Sequence, residues 1–242
     1  MKLSETKAGK WIDNFFYHYK WEVLIVVCVI VVLAVLIPQF ITREEYDASV
    51  LFTGPAFLDA DQNASIESAF RQIAGSGKNG EKSKVQLIDM TAFTTKQAKE
   101  LVDSGRYSSS ILAPYIENNI TNSFQTQVFA GEASICLFDS HWYDIVKTSD
   151  GFVTLEEILG YTPDGAIDEY SIYLKDTEFG QYFSAFDALP DDTILCMRRM
   201  TTASAFLGKS KTEAGYEVSK QLFKSIFEFR FPDGYQAGET DS

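Results

Sequence analysis

The chain has 242 residues, of which 21 are Lys or Arg and 34 are Asp or Glu, giving a formal net charge of −13. The part that follows residue 22 holds 17 of those bases and 31 of those acids, a net charge of −14. Such a surface repels nucleic acid and anionic lipid, and no basic stripe offsets it, so we exclude a nucleic-acid-binding role. Three cysteines are too few for a disulfide-rich scaffold.

The most informative segment is an uncharged apolar run at residues 23–37. As a helix this run would cover only about 22 Å, which is less than a hydrocarbon core of about 30 Å. Trp21, Phe40 and Ile41 bring the segment near the required length of about 20 residues. We therefore predict a single transmembrane helix at residues 21–42. A buried strand is the alternative, but a continuous strand of this length would be exceptional in a globular core.

Charges on either side of the run predict its orientation. Four lysines and the amino terminus precede it, whereas Arg43 beyond it is followed by acidic residues at positions 44, 45 and 47. The Lys/Arg bias predicts a cytoplasmic aromatic and basic flank at residues 1–20, with the rest of the chain held outside the cell membrane. A cleaved signal peptide is the alternative, but residues 36–40 offer no small residues for cleavage.

Strand and helix patterns alternate through residues 43–231. Strands are predicted at residues 46–53, 84–90, 133–138, 170–174 and 193–197. Helices are predicted from Asn63 or Ser65 to Ala74, from Thr94 or Thr95 to Val102, from Pro114 to Gly131, around Trp142, and at 155–159, 179–186 and 216–227. The alternation predicts one extracytoplasmic α/β domain, with a layered, mostly parallel sheet and helices on both faces. The polar residues 232–242 are predicted to be a disordered tail.

Four stretches of this domain resemble the type 2 periplasmic solute-binding proteins. Residues 129–139 are similar to the helix, glycine and apolar strand beside the ligand cleft, and residues 151–158 to the loop and helix that follow. Residues 170–174 resemble the strand leading to the hinge, and residues 194–229 the strand and helix that close the first lobe. Where the family inserts a second lobe, residues 174–194 have room for one helix. The resemblance implies a shortened, one-lobed solute-binding-like domain, as in uncharacterised membrane-anchored proteins of Gram-positive bacteria.

A polar and aromatic group follows the predicted strand at residues 133–138. It comprises Asp139, His141, Trp142 and Tyr143. Ligands gather at the carboxyl ends of strands in open α/β sheets, and aromatic side chains are common in binding pockets. These four residues are therefore the candidate ligand-binding site. The alternative is that Trp142 and Tyr143 only pack a surface helix against the sheet.

Catalytic and metal-binding patterns are incomplete in this sequence. His141 is the only histidine after the apolar run, and Ser134 and Ser140 do not stand in a Gly-x-Ser-x-Gly elbow. Residues 59–63 have the opening spacing of a calcium loop but lack its glycine and its bidentate glutamate, so helix capping is the better interpretation. We expect no cofactor and no metal.

Two cysteines remain open to two interpretations. Cys136 and Cys196 each fall in a predicted strand. They are expected to be free buried thiols, and a disulfide is the alternative if the two strands are neighbours.

These observations predict a membrane-anchored, non-enzymatic binding or interaction domain. Its partner would be a small solute or a membrane protein near the bilayer. Two other functions stay open: an accessory subunit of a membrane complex, and an anchored hydrolase that uses Asp139 and His141.

Overall fold

A computed structural model describes residues 19, 21–22, 24–34, 46–76, 83–130, 133–200 and 209–234. Contacts divide the chain into two units, Met1–Glu45 and Tyr46–Ser242. In the first unit, residues 19, 21–22 and 24–34 are helical. No helix in the described part of the chain is both long and apolar enough to cross a membrane. Most of the predicted flank at 1–20, residues 23 and 35–42 of the predicted span and residues 235–242 of the predicted tail lie outside the described residues.

The second unit has the predicted α/β architecture, and its described residues form one six-stranded sheet in the order β2-β1-β3-β6-β5-β4. The strands are β1 (Ala48–Gly54), β2 (Val85–Thr91), β3 (Ile135–Phe138), β4 (Ala166–Asp168), β5 (Ser171–Tyr173) and β6 (Ile194–Met197). The helices are α1 (Ala60–Ile73), α2 (Thr95–Asp103), α3 (Ser109–Leu112), α4 (Glu117–Ala130), α5 (Ser140–Thr148), α6 (Leu155–Leu159), α7 (Glu178–Tyr182) and α8 (Lys209–Glu228). Short 3-10 turns occupy Ala113–Tyr115, Leu174–Asp176 and Ser184–Ala188.

The sheet is mixed, which corrects the prediction of a mostly parallel sheet. Strand β1 pairs in parallel with β2 and β3, whereas β6 is antiparallel to both β3 and β5, and β4 is antiparallel to β5. The short link from β4 to β5 leaves no room for a crossover, so these strands form a hairpin. Residues 174–193 then bring the chain back beside β5 in the opposite direction.

Two apolar cores lie on opposite faces of the sheet, which confirms helices on both faces. Every residue of β1 is buried, and its side chains alternate between the cores. Val50 and Phe52 belong to the first core, with residues from α1 and α8. Leu51 belongs to the second core, with residues from α4 and α5. A strand covered on both sides needs apolar residues at successive positions, which is why residues 50–52 are uninterrupted.

Helix starts follow local capping chemistry. Thr94 caps α2 through a reciprocal capping box with Gln97, which confirms one of the two predicted starts. Helix α1 begins earlier than predicted, because Asp59 and not Asn63 or Ser65 is its cap. The Asp59 side chain accepts a hydrogen bond from the Gln62 amide at 2.8 Å, and the Gln62 side chain accepts one from the Asp59 amide at 2.9 Å.

Candidate functional site

Asp139 follows β3 directly and is 7% exposed. One carboxylate oxygen accepts a hydrogen bond from the backbone amide of His141 at 2.9 Å, which makes Asp139 the cap of α5. The other oxygen accepts from the Gln97 side chain at 3.0 Å. Asp139 therefore joins the starts of α2 and α5 above the carboxyl ends of the parallel strands.

His141 takes part in a second polar group at the same edge. Its Nε2 lies 3.2 Å from a carboxylate oxygen of Glu117, and Glu117 also accepts from the Thr95 hydroxyl at 2.7 Å. The Thr95 hydroxyl is the largest cause that holds the pKa of Glu117 below its ordinary value. Burial opposes this shift, while the Thr95 amide and the nearby His141 ring support it. The group ties α2, α4 and α5 together.

The order of this polar group does not match a hydrolytic triad. A triad places histidine between the nucleophilic hydroxyl and the carboxylate. Here Glu117 stands between the Thr95 hydroxyl and the His141 ring. Asp139 bonds the backbone amide of His141 and orients no ring nitrogen in the contacts of the described residues. Nothing in this geometry activates a nucleophile.

Trp142 and Tyr143 point into the second core, as expected if they only pack a surface helix against the sheet. Trp142 is fully buried, and its ring centroid lies 4.6 Å from that of Phe124. Tyr143 is 3% exposed and stacks on Phe152 with centroids 5.0 Å apart and planes at 13°. Neither ring is placed to meet a ligand from solvent. The structure thus brings Asp139 and His141 together at the sheet edge, whereas Trp142 and Tyr143 are buried, and the Trp142 ring meets the His141 ring edge-on at 5.1 Å.

The Tyr143 hydroxyl leads to a polar node that the sequence analysis did not predict. Asp168, at the end of β4, accepts hydrogen bonds from the hydroxyls of Tyr143 at 2.7 Å and Ser171 at 2.9 Å, the Tyr170 amide at 2.8 Å, and Lys147 Nζ at 2.7 Å. Burial alone would raise the pKa of Asp168, but these donors outweigh it and hold the pKa below its ordinary value. Because several donors already engage the carboxylate, the node fastens α5 to the strand edge.

A cluster of exposed aromatic rings is the other feature that the sequence does not predict. Phe57, Tyr107 and Tyr115 are each more than one third exposed, and we call them the aromatic cluster. The Phe57 ring centroid lies 5.5 Å from that of Tyr107 and 5.1 Å from that of Tyr115, which it meets edge-on. Phe57 also contacts the buried ring of Phe93 at 5.4 Å. The available signal is an aromatic residue, Tyr107, between the predicted helices that end at Val102 and begin at Pro114.

The aromatic cluster and the polar groups share one edge of the sheet. Phe57 follows β1, and Phe93 follows β2. The Phe93 amide donates to the Tyr115 carbonyl, and the Glu117 amide donates to the Phe93 carbonyl, both at 2.9 Å. Strand β1 lies between β2 and β3. The strand that follows β1 in the chain is on one side of it and the next strand is on the other side, so the strand order reverses at β1. Such a switch point is the usual place for binding in open α/β sheets.

Two cavities lie beside α1, and neither is lined by the aromatic cluster or by the polar groups. A cavity of about 330 Å³ lies between the end of α1 and α8, where Ser83, Glu217 and Leu222 line it. A wider groove of about 850 Å³ lies beside the start of α1, with Asp59, Asp61 and Tyr182 in its wall. None of the four predicted site residues lines either one. Within the described ranges, no group of three or more His, Cys, Asp or Glu side chains could hold a metal ion.

No protein family, curated protein or solved structure matches this chain. The resemblance to the solute-binding proteins therefore stays a prediction.

Proposed function

We propose that the chain is a single-pass, membrane-anchored, non-enzymatic interaction domain of shortened solute-binding-like architecture. The N-terminal helix holds residues 43–231 outside the membrane. The aromatic cluster then presents a binding surface to another membrane-associated protein.

The N-terminal segment supports the anchor. Residues 24–34 are helical, and large apolar side chains along it, such as Ile25, Ile30 and Val31, are more than half exposed. An isolated helix with apolar side chains on every face is stable in lipid and not in water. The excess of lysine before the apolar run supports a cytoplasmic amino terminus.

The aromatic cluster is the observation that carries the proposed binding role. The Phe57 ring contacts both Tyr107 and Tyr115, and the three rings, each over one third exposed, form an apolar patch on an acidic domain. Ile111, which is 54% exposed, lies on α3 between Tyr107 and Tyr115 in the chain. Tyr and Phe are enriched at protein interfaces, where they bury a large area at a small cost in side-chain entropy.

The surroundings of the aromatic cluster favour a protein over a small solute. Solute sites are concave and enclose most of their ligand. Neither of the two cavities beside α1 is lined by the aromatic cluster, and the carboxylates of Asp139 and Glu117 are already hydrogen-bonded within the domain. The single helix α7 between β5 and β6 also fits a one-lobed domain without a closing clamp.

Site-specific photocrosslinking in native membranes tests this proposal. Tyr107 is replaced by the photoreactive residue p-benzoylphenylalanine in the full chain, and Tyr161, which is 50% exposed, is replaced in the same way as the matched control. The expected result is one adduct of defined mass from position 107 and none from position 161. Absence of an adduct at 107, or equal adducts at both positions, contradicts the proposal.

Two further measurements separate the alternatives. An adduct formed mainly from Ile30, within the apolar run, would favour an accessory subunit that binds through its helix. Calorimetric titration of the full chain in detergent with peptides, sugars and amino acids tests solute capture. We expect no heat of binding from this panel, and a saturable response would contradict a purely protein-binding role.

A further inference from the structure

The two cysteines of the globular unit face each other across neighbouring strands. Cys136 on β3 and Cys196 on β6 are register partners in an antiparallel pair. The Arg198 amide donates to the Ser134 carbonyl at 2.7 Å. Ser134 and Arg198, which lie two residues from the cysteines on their strands, therefore form a hydrogen-bonded pair. Pair types alternate along an antiparallel ladder, and therefore Cys136 and Cys196 also form a hydrogen-bonded pair. Their Cα atoms are then about 5.5 Å apart, which is within the range of disulfides. Their Cβ atoms lie near the upper end of the range of about 4.5–5.5 Å for cross-strand neighbours, so the two strands must draw closer locally as the bond forms.

Both side chains project to the same face of the sheet. They are fully buried in the second core, and both thiols are free in this structure. The sulfur of Cys196 leans toward its partner and lies 3.8 Å from the Cys136 carbonyl oxygen. Burial raises the pKa of the Cys196 thiol, and the adjacent Cys136 raises it further. A buried neutral thiol reacts slowly, so any coupling must occur while the second core is still open.

We infer that Cys136 and Cys196 form an intramolecular disulfide when the chain folds in the presence of a thiol–disulfide oxidant. The oxidant is a disulfide oxidoreductase or a small-molecule disulfide such as oxidised glutathione. One cysteine thiolate attacks the oxidant's disulfide, forms a mixed disulfide and releases one thiol. The second cysteine attacks the mixed disulfide, forms the internal S–S bond and releases a second thiol. The cysteine pair loses two electrons, the oxidant gains them, and two protons pass to the released thiolates.

The bond would join the two halves of the sheet at their seam. Within the described sheet, the parallel half, β2-β1-β3, meets the antiparallel half, β6-β5-β4, where β3 pairs with β6. The two cysteines are 60 residues apart in the chain, so closing this loop restricts the unfolded state considerably. We expect the midpoint of thermal unfolding to rise by about 10 °C on oxidation.

A redox titration of the full chain tests the inference. Cys28 is replaced by Ala so that two thiols remain. The purified protein is equilibrated in glutathione buffers of stepped potential, with urea just below the unfolding transition so that buried thiols can exchange. After quenching, denaturation and alkylation, both thiols should disappear in one two-electron step, with the loss of two hydrogen atoms from the mass. Two alkylatable thiols in the most oxidising buffer, or one glutathione on each cysteine, would overturn the inference.

The variants Cys136→Ser and Cys196→Ser serve as matched controls. Each leaves one thiol, which should stay alkylatable or take up one glutathione, with no rise in the unfolding midpoint. If a single-cysteine variant shows the same thermal shift as the pair, the shift has another cause and the inference fails. All of these measurements use purified protein, so they do not depend on the proposed membrane location.

Discussion

The hydroxyl of Tyr143 donates a hydrogen bond to Asp168 at 2.7 Å, and this bond crosses from α5 to the end of β4. A tyrosine predicted to meet a ligand instead fixes a helix to the antiparallel half of the sheet. The same carboxylate is bonded by Lys147 from the next turn of α5. This edge of the domain is therefore held by a polar node as well as by apolar packing.

Asp168→Asn should lower the free energy of unfolding by about 1–3 kcal/mol, because the amide offers fewer acceptor sites to donors that are partly buried. The control Lys147→Met removes only the half-exposed charge partner and should cost about 0–1 kcal/mol. Chemical denaturation at neutral pH measures both values. An equal loss of unfolding free energy in the two variants would contradict the central role of Asp168 in these hydrogen bonds.

Acid stability provides a second test of the same carboxylate. The pKa of Asp168 is depressed in the folded state, so its contribution to stability is present above its usual pKa of 3.8. This contribution is lost as the pH falls through the lower folded pKa. The difference in stability between the original chain and Asp168→Asn should therefore shrink on acidification. A difference that does not change with pH would contradict the depressed pKa.

Thr95→Val should raise the pKa of Glu117 toward its usual value of 4.5, since the Thr95 hydroxyl is the largest cause of the depression. The stabilisation by Glu117 is complete above that value and is lost as the pH falls through the folded pKa. NMR titration of the side-chain carboxyl carbon gives the pKa directly. The matched control is Thr121→Val, which removes a hydroxyl bonded to the Glu117 backbone carbonyl and should leave this pKa unchanged.

Arg198 should be sensitive to substitution because its buried guanidinium serves two backbone carbonyls. Its Nε donates to Ala133 at 3.0 Å, and its Nη1 donates to Val128 in the last turn of α4. Arg198→Met should cost about 2–4 kcal/mol because it removes both of these hydrogen bonds from the core. Arg199→Met, at the exposed neighbouring position, should change stability by less than about 0.5 kcal/mol. Similar costs for both variants in urea unfolding would contradict this role.

Gly180→Ala should cost about 3 kcal/mol, because a Cβ at this position would overlap the Leu174 carbonyl oxygen. The comparison is Gly160→Ala at the end of α6, where φ is +86° and no atom lies within 4 Å of the new carbon. That variant carries only the backbone strain of about 1–2 kcal/mol. Thermal unfolding should rank Gly180→Ala below Gly160→Ala, and the reverse order would contradict the close approach of α7 to residue 174.

Local signals predict much of this fold. The capping box at Thr94 and Gln97 lies in a few adjacent residues and locates α2. The direction of strand pairing cannot be predicted from local signals. The periodicity within β5 or β6 carries no information on which strand becomes its neighbour. Strand β4 has only three residues at the sheet edge, too few for an alternating pattern to stand out.

The candidate site also has some features that local sequence predicts and others that depend on tertiary contacts. The sequence predicts Asp139 at the edge of the sheet because it directly follows an apolar strand. The burial of Trp142 follows from the apolar face that it shares with Val146, one helical turn away, and this spacing was the available signal. The aromatic cluster joins Phe57 to Tyr107 and Tyr115 across long stretches of chain. Only the tertiary contacts bring these rings together.

Cysteine accessibility in intact cells tests the central claim, an interaction domain held outside the membrane by one N-terminal helix, most directly. In a chain that carries Cys28→Ala, one variant adds Tyr161→Cys in the globular unit and another adds Ser4→Cys in the N-terminal flank. Buried Cys136 and Cys196 remain unlabelled as internal controls. A membrane-impermeant maleimide should label position 161 in intact cells and position 4 only after permeabilisation. Labelling of position 161 only after permeabilisation would contradict the account.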